Sequence, residues 1–257
     1  MTSTHDLLNF AIDAARQAGQ VTLSSFQTGV DVEWKSDASP MTIADRAAEQ
    51  LLRQLIERQF PDHAVFGEEY GETDRDSTHR WIIDPIDGTQ SFIRGVPLYG
   101  VLVGLEIAGD MTLGVAYFPG LDELVAAATG QGCSWNGRPA RVSTVSRLAD
   151  AALSFTSAAN LDRLQPRAWA HLQQTTRVQR GWGDCYGHCL VATGRVDIML
   201  DPILSPWDCA ALLPILREAG GTFTDWTGLP TIDGGNGIST NGLLFDQVMA
   251  SVRDEHS

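Results

Sequence analysis

The chain has 257 residues, of which 43% are apolar and 19% charged, the balance of an ordered globular protein built as one large domain or two closely packed halves. A formal charge of −14 lacks the basic footprint that nucleic-acid binding demands, and no apolar run approaches the roughly 20 residues that cross a bilayer. Residues 1–6 show neither the basic nor the apolar region of a secretory signal, so the cytoplasm is the expected compartment.

Apolar residues at helical spacing (Leu8, Ala11, Ile12, Ala15, Ala18, Leu23) predict a first helix over 5–27. A second, from about 42 to 59, has a stripe of Ala44, Ala47, Ala48, Leu51, Leu52, Leu55 and Ile56 and stops at Pro61. Extended segments follow at 63–66 and 80–84, then a meander of 98–107, 111–118 and 124–128, with a further turn at Asn136-Gly137. From there strand and helix alternate: strand 152–156, helix 161–175, strand 177–180, helix 184–193, strand 196–200 and helix 207–219, stopped by Gly220-Gly221. Strands 222–225 and 237–240 and a helix over 243–254 complete the chain. The pattern predicts stacked α and β layers in a single domain, with an N-terminal α+β half (about 1–145) and a C-terminal α/β half (about 146–257).

The run Trp81-Ile82-Ile83-Asp84-Pro85-Ile86-Asp87-Gly88-Thr89 ends an apolar strand with two carboxylates and a Gly-Thr turn. Close acids repel unless a cation neutralises them, and Pro85 fixes the backbone between them so that both can converge. Glu68-Glu69 and Asp208 add carboxylates from separate segments, an oxygen-only set suited to a hard divalent metal. Asp is also common in turns, Asp208 suits the first turn of a helix, and Thr42-Ile43-Ala44-Asp45 has capping-box spacing. Cys133, Cys185, Cys189 and Cys209 are too few for a disulfide framework, and Cys185, His188 and Cys189 lack the second pair of soft ligands a zinc site needs.

Gly67-Glu68-Glu69, Asp84-Pro85-Ile86-Asp87-Gly88-Thr89 and Trp207-Asp208, followed by Glu218-Ala219-Gly220-Gly221, resemble the ordered motifs of the inositol monophosphatase superfamily over nearly the whole chain. The resemblance implies a five-layer αβαβα sandwich, a homodimer, and a phosphomonoesterase using two or three Mg²⁺ ions. It makes Glu68, Asp84, Asp87, Asp208 and the Ile86 carbonyl the metal ligands, with Asp87, Gly88 and Thr89 at the phosphate. Glu68, Thr89 and Asp45 would serve catalysis, Thr89 by holding a water and Asp45 through that water or as a cap. Of the two glutamates only one should face the metals, because successive side chains in an extended segment point opposite ways. The family pattern selects Glu68. Without a Ser or Cys nucleophile beside a base, direct attack by water is expected rather than a phosphoenzyme. Arg94 reads as a solvent or interface residue.

Gly181-Trp182-Gly183-Asp184-Cys185-Tyr186-Gly187-His188-Cys189 is similar to the histidinol-phosphatase branch, as are residues 87–95 and 97–100. L-histidinol phosphate carries an ammonium and an imidazole, which call for acidic partners. Asp184 and Asp201 are the candidates; their alternatives are a helix N-terminal acid and a strand-end turn. Ser205-Pro206-Trp207-Asp208 departs from the Pro-Tyr-Asp of many histidinol phosphatases, so an inositol-1-phosphatase is the other enzyme reading. A catalytically silent metal-binding relative is the non-enzyme one.

Overall fold

The structure is a computed structural model that describes residues 2–29, 31–35 and 40–253. Ser3 accepts the Asp6 N–H and starts helix α1 (Thr4–Ser25), which turns Leu7, Ala11, Ala14, Ala15 and Ala18 inward. Strands β1 (Val32–Trp34) and β2 (Pro40–Thr42) pair antiparallel and lead into α2 (Ile43–Gln59). Thr42 caps α2 and Asp45 returns the capping box, a device that typically stabilises a helix by about 0.5–2 kcal/mol.

The two helices cover one face of an eight-stranded sheet made of β3 (Ala64–Gly67), β4 (Gly71–Glu72), β5 (His79–Asp87), β6 (Gly100–Ile107), β7 (Asp110–Phe118), β8 (Glu123–Ala128), β9 (Gly132–Trp135) and β10 (Arg138–Ala140). Its order is β10-β9-β8-β7-β6-β5-β3-β4, with β3 and β5 parallel and the other pairs antiparallel. A short helix, α3 (Thr89–Phe92), follows β5. Side chains alternate across this sheet: Trp81, Ile83, Val101, Val103 and Val115 face α1 and α2, whereas Ile82, Leu102, Ala116 and Val125 face the middle of the molecule. Both faces are buried, which is why these strands read as continuous apolar runs.

A five-stranded sheet joins β11 (Ala152–Phe155), β12 (Val178–Arg180), β13 (Ile198–Asp201), β14 (Thr222–Thr224) and β15 (Gly237–Thr240) in the order β12-β11-β13-β15-β14. Its outer face carries α4 (Ala158–Leu164), α5 (Pro166–Thr175) and α9 (Phe245–Arg253). Between the sheets lie α6 (Asp184–Ala192), α7 (Pro206–Ala210) and α8 (Leu212–Glu218), whose Cys185, Cys189, Ala210 and Leu216 share a core with Leu102, Met199 and Phe223. The five layers run αβαβα, and no helix among the described residues is long and apolar enough to cross a membrane.

Two predicted helices are broken. The helix expected over 161–175 is α4 and α5, because Pro166 forces Gln165 out of helical geometry, to φ −143° and ψ 53°. The helix expected over 207–219 is α7 and α8, because Pro214 has no N–H for the carbonyl of Ala210. The last helix ends at Arg253; the residue expected to close it, 254, lies outside the described residues.

The break lets the chain at Ala210-Ala211 press against the eight-stranded sheet. Cβ atoms placed on Gly104 and Gly114, which pair across β6 and β7, would meet the Ala210 carbonyl carbon at 2.9 Å and the Ala211 oxygen at 2.0 Å. Only side-chain-free backbone admits this approach, and it carries Asp208 to the end of β5.

Candidate active site

Asp84 and Asp87 sit at the C-terminal end of β5, three residues apart, a spacing that points side chains to opposite faces of a regular strand. The ladder is not regular there. Asp84 pairs with Leu102 and Asp87 with Gly100, so an extra residue is inserted opposite β6. This bulge at Pro85-Ile86 re-aims both acids to one side. Asp84 Oδ1 accepts the Ile86 N–H at 2.9 Å, and Thr89 Oγ1 donates to the Ile86 carbonyl at 2.9 Å. Asp208 enters from the first turn of α7, its Oδ2 taking the Ser205 N–H at 2.6 Å.

Asp84, Asp87 and Asp208 each offer an oxygen within 4.8 Å of the others. Asp84 is 1% exposed, and the other two are partly exposed. Burial holds the Asp84 carboxyl well above the usual range, and the charges of Glu68, Asp87 and Asp208 add to it. Burial likewise brings Asp87 up to about 7, helped by Asp208, and Asp208 to about 7, helped by Glu68. Three like charges held together this way form a site that a divalent cation would relieve. The donors are all oxygen, which fits Mg²⁺ rather than a thiolate-seeking metal.

Glu68 stands beside this group rather than within its oxygen cluster. Lys35 Nζ bonds Glu68 Oε1 and Glu69 Oε1, each at 2.7 Å. Against the lowering effect of burial, the two carboxylates hold the Lys35 ammonium above its ordinary range. The Glu69 side chain is 3% exposed and the Glu68 side chain 17%, so Glu68 is the more open of the pair. Lys35, Glu68, Trp207 and Asp208 line a cavity of about 360 Å³. The segment carrying Glu68 is held from beneath by Glu49, a fully buried carboxylate that accepts the N–H groups of Glu69 and Tyr70 and pairs with Arg53.

Asp45 completes its capping box through Oδ2, while its buried Oδ1 has no hydrogen-bond partner, and burial raises the carboxyl to about 6. Gly88 takes a left-handed conformation (φ 83°) ahead of α3; a methyl group there would stand 3.0 Å from the Leu98 carbonyl and 3.2 Å from Asp184 Oδ2. The Thr89 hydroxyl proton is engaged by Ile86, so its oxygen can only accept from a water.

Asp184 opens α6 with a left-handed φ of 53°, and the next residue, Cys185, donates its N–H to Asp87 Oδ2 at 2.6 Å. The Asp184 N–H donates to Thr156 Oγ1 at 2.9 Å, and Thr156 donates to Asp201 Oδ2 at 2.5 Å. Burial raises Asp184 to about 7 with help from Asp87, and it lifts Asp201 well above the usual range with help from Asp184. The two predicted substrate acids are thus joined through Thr156 and lie next to the three-aspartate cluster. Arg94 is exposed and bonds Gln90. The four cysteines are free and buried, and no group among the described residues links Cys185, His188 and Cys189 as ligands.

Sequence reasoning missed Lys35, Glu49 and Thr156. Glu49 carried a signal: it lies on the buried stripe of α2 with Asp45, Ala48 and Leu52, where an acid calls for partners. Lys35 and Thr156 carried none, because their partners come from distant segments.

A profile of the inositol monophosphatase family matches residues 3–257. The chain is 45% identical over 248 residues to a histidinol-phosphatase of Chlorobaculum parvum, spanning 95% of this chain and 96% of the relative. It is 41% identical over 254 residues to a histidinol-phosphatase of Mycobacterium tuberculosis, spanning 96% and 97%. Among solved structures, the Thermotoga maritima IMPase superposes with a TM-score of 0.89 at 31% identity, over 98% of each chain. With the motif residues assembled at one site, the chain belongs to the inositol monophosphatase family and is a phosphoric monoester hydrolase.

Proposed function

We propose that this hydrolase releases phosphate from L-histidinol phosphate in a Mg²⁺-dependent reaction. The observation that carries the proposal is the juxtaposition of two acid sets, Asp84-Asp87-Asp208 and Asp184-Asp201, bridged by the Cys185 N–H on Asp87. Asp84, Asp87, Asp208, Glu68 and the Ile86 carbonyl would hold two or three Mg²⁺ ions. Bound there, the ions supply the positive charge that offsets negative charge on the phosphoryl oxygens and the departing alcohol.

The remaining roles belong to the chain. Gly88, without a Cβ, lets phosphate approach the backbone N–H groups at the start of α3, beside Asp87. Thr89 orients a water as acceptor because Ile86 holds its proton. Asp45 offers its unpartnered Oδ1 to the same region. Asp184 and Asp201 receive the ammonium and imidazole of the substrate. The buried thiols lack an activating base: burial pushes Cys185 and Cys209 well above the ordinary thiol range, so a covalent phosphoenzyme is not expected.

One observation favours a second reading, inositol 1-phosphate. Trp207 lines the cavity beside Asp208 where many histidinol phosphatases have Tyr. We place the enzyme in the cytoplasm as a homodimer, on the family resemblance. The substrate is tested by phosphate release from L-histidinol phosphate, inositol 1-phosphate, fructose 1,6-bisphosphate and 3′-phosphoadenosine 5′-phosphate. The highest kcat/KM should belong to L-histidinol phosphate, and a preference for inositol 1-phosphate would select the second reading.

A further inference from the structure

Beneath Asp184 and Asp201 runs a buried polar line that phosphate hydrolysis itself does not use. His188 lies one turn into α6 from Asp184 and is fully buried. Its Nδ1 is 2.7 Å from Ser239 Oγ, on β15. Its Nε2 is buried without a hydrogen-bond partner and faces Asp201 Oδ2 at 4.0 Å. The Phe223 ring, 5.5 Å away between centroids, packs against the imidazole.

Burial drives His188 down to about 3, so at neutral pH it is an uncharged ring with a single N–H. With Ser239 donating its hydroxyl proton to Nδ1, the ring proton sits on Nε2 and points toward Asp201 Oδ2 across 4.0 Å. Packing alone does not call for such a group, because an apolar ring would fill the space without burying an unpaired donor. The same Asp201 oxygen receives the Thr156 hydroxyl, whose oxygen holds the Asp184 N–H. That last bond sits on backbone in the left-handed region, where an aspartate needs support to stay.

We propose that His188 is a positioning residue for substrate recognition: oriented by Ser239, its Nε2–H dipole faces the Asp201 carboxyl across 4.0 Å and electrostatically favours the placement of that carboxyl and, through Thr156, of the Asp184 turn that meets a cationic substrate group. This rests on the reading of Asp184 and Asp201 as the partners of that group. The polar groups that face His188 are Ser239 and Asp201 rather than the three-aspartate cluster, so its influence falls on binding of the alcohol part of the ester.

Two measurements test it. In ¹⁵N-labelled, Mg²⁺-loaded wild-type enzyme, the imidazole nitrogen shifts of His188 should report the Nε2–H tautomer at pH 7, and the Nδ1–H tautomer would overturn the proposal. His188→Phe should raise KM for L-histidinol phosphate by about 5- to 20-fold with a much smaller change in kcat. It should disturb 4-nitrophenyl phosphate, which has no ammonium, less. His188→Gln, which keeps a donor, should recover most of the loss. Equal losses on both esters, or a Gln variant as impaired as the Phe variant, would make His188 a packing residue and overturn the proposal. A wild-type enzyme with no preference for the ammonium-bearing ester would instead mark failure of the underlying substrate reading. A preserved wild-type preference that His188→Phe leaves intact would mark failure of this inference.

Discussion

The backbone N–H of Cys185 donates to Asp87 Oδ2 over 2.6 Å, tying the first turn of α6 to a carboxylate that closes β5 of the other sheet. The bond connects the side proposed to hold metal and phosphate with the side proposed to read the alcohol. It also leaves Asp87 one oxygen free, so a cation can be shared with Asp84 and Asp208 without breaking the contact between sheets.

Removing one member of the three-aspartate cluster should separate stability from activity. Asp84→Asn and Asp208→Asn should each lower kcat/KM at least ~10-fold, well within the several kcal/mol assigned to metal stabilisation of a transition state. In EDTA above pH 7, where the Asp208 carboxyl is ionised, Asp208→Asn should melt at a higher temperature than wild type, because it removes a repulsive charge. Thermal denaturation with and without Mg²⁺ checks both signs.

The pH dependence follows from the raised carboxyls. An unfolded Asp titrates near 3.8, whereas Asp87 and Asp208 are held up to about 7 in the fold. The folded state therefore binds more protons between these values, and the stability of metal-free enzyme should fall as pH rises from about 4 to about 7. His188 acts oppositely: lowered to about 3 from 6.5, it costs stability as pH falls below 6.5. Urea titrations in EDTA should show the carboxylate slope shrink in Asp208→Asn and the acid-side slope shrink in His188→Phe. Mg²⁺ should bind more tightly as pH rises and level off above about 7; pH-independent binding would remove the cluster from the metal site.

If Glu68 is a metal ligand as proposed, Lys35 competes with the cation for it. Lys35→Met should tighten Mg²⁺ binding by a few-fold, since an ammonium at 2.7 Å from Glu68 is removed. Calorimetric titration of the metal measures it, and unchanged or weaker binding would mean that Glu68 and the metal do not interact.

The approach of α7 and α8 to the sheet is sensitive to a single side chain. Gly114→Val would force a Cβ against the Ala211 oxygen, now 2.0 Å from that position. Overpacking of this kind costs about 1–3 kcal/mol. The displaced helix should also carry Asp208 away from Asp84, so activity should fall further than the melting temperature alone explains.

Much of this could be read from the chain before its fold was known, and the reasons are local. Asp84 and Asp87 close an apolar strand around a proline, and Thr42 and Asp45 announce a helix start at fixed spacing. Stacked α and β layers follow from strands that are apolar on both faces and helices with one apolar stripe, whereas their number, five, came from the family resemblance. What stayed hidden depends on tertiary approach. The break between α7 and α8 arises where Pro214 meets a helix pressed on two glycines of another element. Lys35 finds Glu68 and Glu69, and Thr156 finds Asp201, only when segments distant in sequence meet. His188 gave no sign of Ser239, because a histidine among apolar helix residues reads as core until the next sheet supplies its partner.

Specificity makes the sharpest mutational prediction. A charge-assisted hydrogen bond contributes about 1.5–3 kcal/mol, so Asp184→Asn or Asp201→Asn should cost roughly 10- to 100-fold in kcat/KM on L-histidinol phosphate. Inositol 1-phosphate, without an ammonium, should lose much less. Equal losses on the two esters would assign both acids to structure.

The measurement that bears most directly on the central claim is Mg²⁺ titration of metal-stripped enzyme, followed in parallel by calorimetry and by phosphate release from L-histidinol phosphate. Wild-type enzyme should release no phosphate in EDTA and recover activity over the Mg²⁺ range in which heat of binding is seen, while Asp84→Asn should lose both signals together. Phosphate release that persists in EDTA, or undiminished Mg²⁺ binding and turnover in Asp84→Asn, would contradict the assignment of Asp84, Asp87 and Asp208 as the metal centre of the reaction.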